Sequence, residues 1–152
     1  MTEALPRSAV AVLETQDKQR LILQRRPNLS GKLAYAGKIH LLGGGGKPDE
    51  TFAETVARKL SEETNLRPKA DDMQLLDEVY FVGEDKNRNP IERHVGLFSL
   101  QVVSFADVEL REQGELVAIP RTPESLFDYK DELTPFAHHA LERVILGETQ
   151  WP

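Results

Sequence analysis

The spacing of apolar residues changes several times along this chain, and each change predicts a change of backbone. Ser8 to Leu13 and Leu21 to Leu23 are apolar, β-prone runs separated by the polar stretch Glu14 to Gln19, which reads as a hairpin. Pro27 to Lys38, with Asn28, Ser30, Gly31 and Gly37, has the composition of a loop. His40-Leu41-Leu42 then runs into Gly43 to Gly46, a short strand ending in a glycine loop. From Thr51 to Thr64 the period turns helical: Phe52, Val56 and Leu60 recur every four residues, and Thr51-Phe52-Ala53-Glu54 has the form of a capping box. Asn65 is placed to supply a left-handed cap, and Pro68 forbids continuation nearby. Leu75 to Val82 and Val95 to Val103 flank the polar Gly83 to Pro90 as a further hairpin. Leu116 to Ile119 makes a last short strand, and Pro135 to Leu146 gives a C-terminal helix followed by Gly147. Strands, helix, strands, helix is the order of a mixed α/β sandwich rather than of a doubly wound parallel sheet.

At 152 residues the chain is long enough for a real core and short for two, so one domain spanning 1–152 is expected. Lys and Arg total 19 against 25 Asp and Glu, a net charge of −6 that argues against broad binding to a nucleic-acid polymer. A phosphate ligand would therefore need local help from a cation or a basic pocket. The absence of cysteine excludes disulfides, thiolate zinc sites and cysteine nucleophiles. Met1 to Thr15 carries only a short apolar run beside Glu3 and Arg7, far below the ~18 residues of a membrane span and without the layout of a signal peptide. A cytoplasmic protein with no membrane association is the expectation.

The chemistry concentrates between Gly44 and Leu66. At about 100° per residue, Glu63 falls near the stripe made by Phe52 and Val56, so its carboxylate points toward packed structure. Glu62 and Glu63 also sit in the last helical turn, where unpaired carbonyls already carry partial negative charge. Something positive must compensate. Arg58 and Lys59, each four residues earlier, are one choice; the other is a bound hard cation such as Mg²⁺, which takes carboxylate and water oxygens and completes its shell with phosphate. The glycines ahead of the helix let backbone amides approach a phosphate, or simply permit a tight turn. Gly46-Lys47 fails as a phosphate-binding loop because Leu41 and Pro48 stand at the required glycine and hydroxyl positions. His138-His139 lacks zinc spacing and reads as surface or partly packed; Arg25-Arg26 reads either as a phosphate contact or as an exposed strand end.

Gly44, Glu50, Arg58, Leu60, Glu62, Glu63 and Leu66 match seven of the nine defined positions of G-x5-E-x7-R-E-U-x-E-E-x-G-U, with U aliphatic, so the segment resembles the box of the Nudix hydrolase family. Lys59 stands where the family has Glu, Asn65 where it has Gly, and Leu42 where it commonly has Pro. Weaker likenesses extend over most of the chain: Val10 to Leu13 and Arg20 to Arg26 before the box, Glu92-Arg93-His94 and Glu112 to Ile119 after it.

The resemblance implies a Nudix-type α/β/α sandwich with a mixed sheet. It also implies hydrolysis of a diphosphate linkage in a small nucleoside diphosphate derivative, by water attack at phosphorus with Mg²⁺ or Mn²⁺. Carried over residue by residue, Glu62 and Glu63 would be metal ligands, Arg58 would orient them, and Glu50 would support the site. Lys59 offers neither a base nor a ligand, and its ammonium could fill the space between Glu62 and Glu63. Glu112, in a loop resembling one that supplies an extra acid, is the first candidate to replace the missing carboxylate, with an exposed loop acid as the competing reading. Glu109, Glu115 and Glu92 follow it. Gly43, Gly44, Gly45 and Arg26 are the candidate substrate contacts. The alternative function is a non-catalytic nucleotide-binding or sensing module. Whether two copies pair as a homodimer stays open, since no segment demands it.

Overall fold

The computed structural model describes residues 7–27, 37–84 and 87–147. β1 (Arg7–Thr15) and β2 (Arg20–Arg25) form the expected hairpin, with Leu13 opposite Ile22. β3 (Ile39–His40), β4 (Leu42–Gly45) and α1 (Phe52–Glu63) follow, then the long hairpin of β5 (Gln74–Glu84) and β6 (Pro90–Val102), then β7 (Glu115–Pro120), α2 (Pro123–Asp128) and α3 (Pro135–Leu146). The strands make one seven-stranded mixed sheet. β3, β2, β1, β6 and β5 lie side by side, while β4 also pairs β1 and β7 also pairs β2. β1 and β6 run parallel, the other paired strands antiparallel.

Helices cover both faces of this sheet, which is why β1 is apolar without interruption from Ala9 to Leu13. Ala9, Ala11 and Leu13 of β1 pack with Ile22, Phe98 and the Val56 and Leu60 side chains of α1. Val10 and Val12 point the other way and meet Leu21, Leu23, Leu97 and the Phe136, Ala140 and Leu141 side chains of α3. Burying Val56 or Leu60 completely is worth about 1.5–3 kcal/mol each. Among the described residues, no helix is long and apolar enough to cross a membrane.

The structure differs from the sequence reading in several places. Gly43, Gly44 and Gly45 are strand, not loop: they lie in β4 opposite Val10, Ala9 and Ser8 of β1. Glycine is needed at Gly43, where φ is 125° and a Cβ would collide with the Ala9 carbonyl, whereas a Cβ on Gly44 would meet only the flexible end of Lys59. Asn65 is not a left-handed cap. α1 ends instead on an extended Thr64, whose hydroxyl and amide both donate to the Leu60 carbonyl. α2 was not expected, since its six residues are too few to show a helical period. α3 has the expected bounds, with Thr134 capping its start and left-handed Gly147 its end.

Candidate active site

β1 and β2 stay paired only near their hairpin turn. Beyond it, β2 takes β3 as a partner at Gln24 and Arg25 while β1 takes β4 from Ala11 back to Ser8, and Leu41 bridges the two short strands. A cavity of about 370 Å³ opens at this divergence, lined by Gln24, Arg26, Pro27, Leu41, Gly43, Glu112 and Gln113. The C-terminal end of α1 is delivered to its rim because Gly43 is where the helix meets the strand.

At the start of α1, the capping box is formed in both directions: Glu54 N–H donates to Thr51 Oγ1, and Thr51 N–H to Glu54 Oε1. Glu50, just before it, accepts from Arg58 Nε at 2.7 Å, Arg58 Nη2 at 3.0 Å, Lys47 N–H at 2.9 Å and Thr55 Oγ1 at 3.1 Å. Arg58 above all, and then the Lys47 amide, hold the Glu50 carboxyl down to about 2. Arg58 also reaches Glu62, at 3.1 Å, and the Gly45 carbonyl, at 3.2 Å. It thus ties loop, helix and β4 together.

Glu63 points inward as its helical position predicts, its side chain 9% exposed against 52% for that of Glu62. Its Oε1 accepts from Gly43 N–H at 3.1 Å. Burial first, and then the nearby charge of Glu112, push Glu63 up to about 7, against the smaller opposing pull of the Gly43 amide and Lys59. Glu62 moves the other way, its carboxyl held below the ordinary range mainly by the Arg58 hydrogen bond. Lys59 Nζ lies 3.7 Å from Glu62 and 3.6 Å from Glu63, between the two carboxylates, its stem running over the bare backbone of Gly44. Glu112 comes from the loop before β7 and accepts from Gln24 Nε2 at 2.8 Å.

Of the expected substrate contacts, Gly43 and Arg26 line the cavity; Gly44 faces Lys59, and Gly45 presents its carbonyl to Arg58. Arg25 is engaged by Glu132 at 2.7 Å and Glu115 at 3.4 Å. Glu115 is therefore part of an ion pair, and Glu92 and Glu109 are exposed and absent from the cavity wall. His139 corrects its reading: it is 1% exposed, packed in the α3 core 3.5 Å from Asp77, while His138 is half-buried against Glu142. Residues 28–36 of the loop-like segment, and 85–86 of the hairpin tip, lie outside the described residues. Gln24 was missed. Its signal was present, since it directly follows the apolar run Leu21 to Leu23 and lies on the same side of the strand as Ile22.

The donor chemistry suits a hard divalent ion. Glu63 and Glu112 are oxygen donors whose charges oppose one another, and a cation between them would relieve both. Among the described residues, no three acids or histidines meet in one metal-sized cluster.

A family model described as the NUDIX domain matches residues 5–144. Solved structures share the fold. The chain resembles the MutT protein from Methanosarcina mazei Go1 at 24% identity and TM-score 0.71, over 97% of both chains. It resembles the dihydroneopterin triphosphate pyrophosphohydrolase of E. coli at 15% identity and TM-score 0.70, over 96% of this chain and 100% of that one. A third likeness is to the NUDIX domain of Shewanella oneidensis NrtR, solved with ADP ribose, at 22% identity and TM-score 0.68, over 97% of this chain and 91% of that one. A search among curated proteins found no match.

Proposed function

We propose, from the premise that the chain belongs to the NUDIX domain family, that it acts as one catalytic unit and hydrolyses a diphosphate linkage in a small nucleoside diphosphate derivative with the help of Mg²⁺ or Mn²⁺. The observation that carries this reading is Glu63: buried, bonded to Gly43 N–H, and opposed by the charge of Glu112 at the edge of a cavity that also holds Arg26. A buried acid beside a second carboxylate is a group that a bound cation would stabilise in its ionised form.

Glu63 and Glu112 would hold the ion, joined by Glu62 once it leaves Arg58 and Lys59. The bound ion would neutralise the diphosphate and lower the pKa of a coordinated water. Arg26, on the cavity wall, would meet the negative substrate. Water oxygen bonds to phosphorus as the bridging phosphorus–oxygen bond breaks; the bond pair leaves with the departing phosphate. Glu112 accepts the water proton, kept in place by Gln24. Arg58 acts through Glu50 and Glu62, fixing the helix on which the acids stand.

The test is a panel of nucleoside triphosphates, dinucleotides and ADP-ribose, incubated with Mg²⁺ or Mn²⁺ and read by the phosphate-bearing products. Metal-dependent turnover that falls on the order of 10³-fold in Glu63→Gln is the expected result. Turnover that survives this change, or needs no metal, sinks the assignment.

Lys59 favours a second reading, a nucleotide-binding module without catalysis. Its ammonium already occupies the space between Glu62 and Glu63, where it competes with a divalent ion. Thermal stabilisation by a nucleotide without products would support that reading. Gain of metal affinity and turnover in Lys59→Glu would instead identify an active site restrained by its own lysine.

A further inference from the structure

We infer that Asn65 is a positioning residue for Glu112: its side-chain amide clips the loop that carries Glu112 onto the end of α1. The inference rests on the reading of Glu112 as a site acid. Asn65 Nδ2 donates to the Asp107 carbonyl at 3.0 Å, and Glu109 N–H donates to Asn65 Oδ1 at 2.8 Å. Both halves of the amide are used, so neither glycine nor aspartate can make the same pair of bonds.

The main chain continues the pattern. Asn65 N–H donates to the Glu109 carbonyl at 3.1 Å and Arg111 N–H to the Glu63 carbonyl at 2.7 Å, with Thr64 and Leu110 bridged between them. Residues 63–65 and 107–111 are thereby knitted in antiparallel register. Glu63, the buried acid, is one of the knitted residues, and Glu112 is the next residue along the loop.

Beyond Glu112 there is a separate anchor. Gln24 donates to both Glu112 Oε1 and the Gln113 carbonyl, and Gly114 at φ 110° presses close to the Arg25 carbonyl. Glu112 is thus suspended between the end of α1 and β2. Val108 supplies a buried apolar foothold for the loop, yet apolar packing is non-directional and does not select a register. Residues 109 and 111–113 are exposed, so the hydrogen bonds to 63–65, together with the Gln24 anchor, set how far the loop advances toward the cavity.

The experiment is a double-mutant cycle on Mn²⁺ affinity, read by electron paramagnetic resonance, with amide hydrogen exchange of the metal-free protein alongside. Glu112→Gln is expected to weaken Mn²⁺ binding and Asn65→Ala to weaken it roughly tenfold, the usual scale for a residue acting behind a ligand, with Asn65→Asp retaining part of the affinity. In the double variant, Asn65→Ala should add nothing to Glu112→Gln. A multiplicative loss would overturn the inference, because Asn65 would then act by another route. Exchange at Glu109 and Arg111 should quicken in Asn65→Ala while the amides at the start of α1 stay protected; unchanged exchange there overturns the clamp itself. If Glu112→Gln leaves Mn²⁺ affinity intact while the exchange result holds, the role of Glu112 is what fails, and with it the positioning role, leaving only a structural clip.

Discussion

At the two ends of α1 a glutamate meets opposite surroundings. Glu50, before the helix, is ringed by donors and stays ionised far below ordinary pH, its carboxyl held near 2. Glu63, in the last turn, is enclosed by the sheet, takes a backbone amide and the Lys59 ammonium at 3.6 Å, faces another carboxylate, and is pushed to about 7. The first end is electrostatically complete and fixes the helix on β4 through Arg58. The second is incomplete and lies beside a cavity. An acid whose partners are all supplied by the protein builds structure; one left short of positive charge can take a ligand.

That contrast can be broken from the middle. Leu60 is fully buried between the two ends, and Leu60→Ala should cost about 2–5 kcal/mol of unfolding free energy, measured by urea denaturation, and disturb both ends together. A loss well under this range would mean that the helix is held mainly by its polar ends.

The second prediction isolates Glu63. Its folded-state value of about 7 lies above the ordinary 4.5, so its contribution to stability is fully present below about pH 4.5 and is lost as pH rises through 7. In metal-free protein, Glu63→Gln should remove that decline and exceed the parent in stability at pH 8 by up to about 3 kcal/mol. Equal pH profiles for the two proteins would show that Glu63 is already compensated without metal. Added Mg²⁺ should flatten the parent's profile, because an ion favours the ionised acid.

A smaller effect is expected at the other end. Thr51→Ala removes the capping hydroxyl and should cost about 1 kcal/mol while leaving Mn²⁺ affinity unchanged. Weakened ion binding in this variant would show the two ends to be coupled. Glu50→Gln breaks the pair with Arg58, in which the two side chains are 17% and 24% exposed. Its signature is again in pH: the stabilisation present above about pH 4.5 in the parent fades as pH falls toward 2, and the difference between parent and variant should close over that interval.

Much of the fold was legible because it depends on local pattern. The capping box at Thr51, the period of Phe52, Val56 and Leu60, and the Thr134 to Gly147 helix each follow from residues within a few positions of one another. Glu63's inward direction followed from the same helical geometry. The strand character of Gly43 to Gly45 did not, because it is imposed by β1 lying close against them, and a glycine run carries no side-chain period. Gln24 entered the site through Glu112, separated from it by most of the chain.

The sequence by itself determined the family, the helix that bears the acids and the inward direction of Glu63, since periodicity and spacing act over neighbouring residues; that Glu62 beside it turns outward was left to the structure. Only the tertiary structure decided that Gln24 would reach Glu112, that Asn65 would clip a distant loop instead of capping its own helix, and that β2 and β4 would part to leave a cavity. The physical reason is that charge compensation and backbone satisfaction are settled by whichever groups the fold brings within a few ångströms, and that proximity is not written in sequence distance.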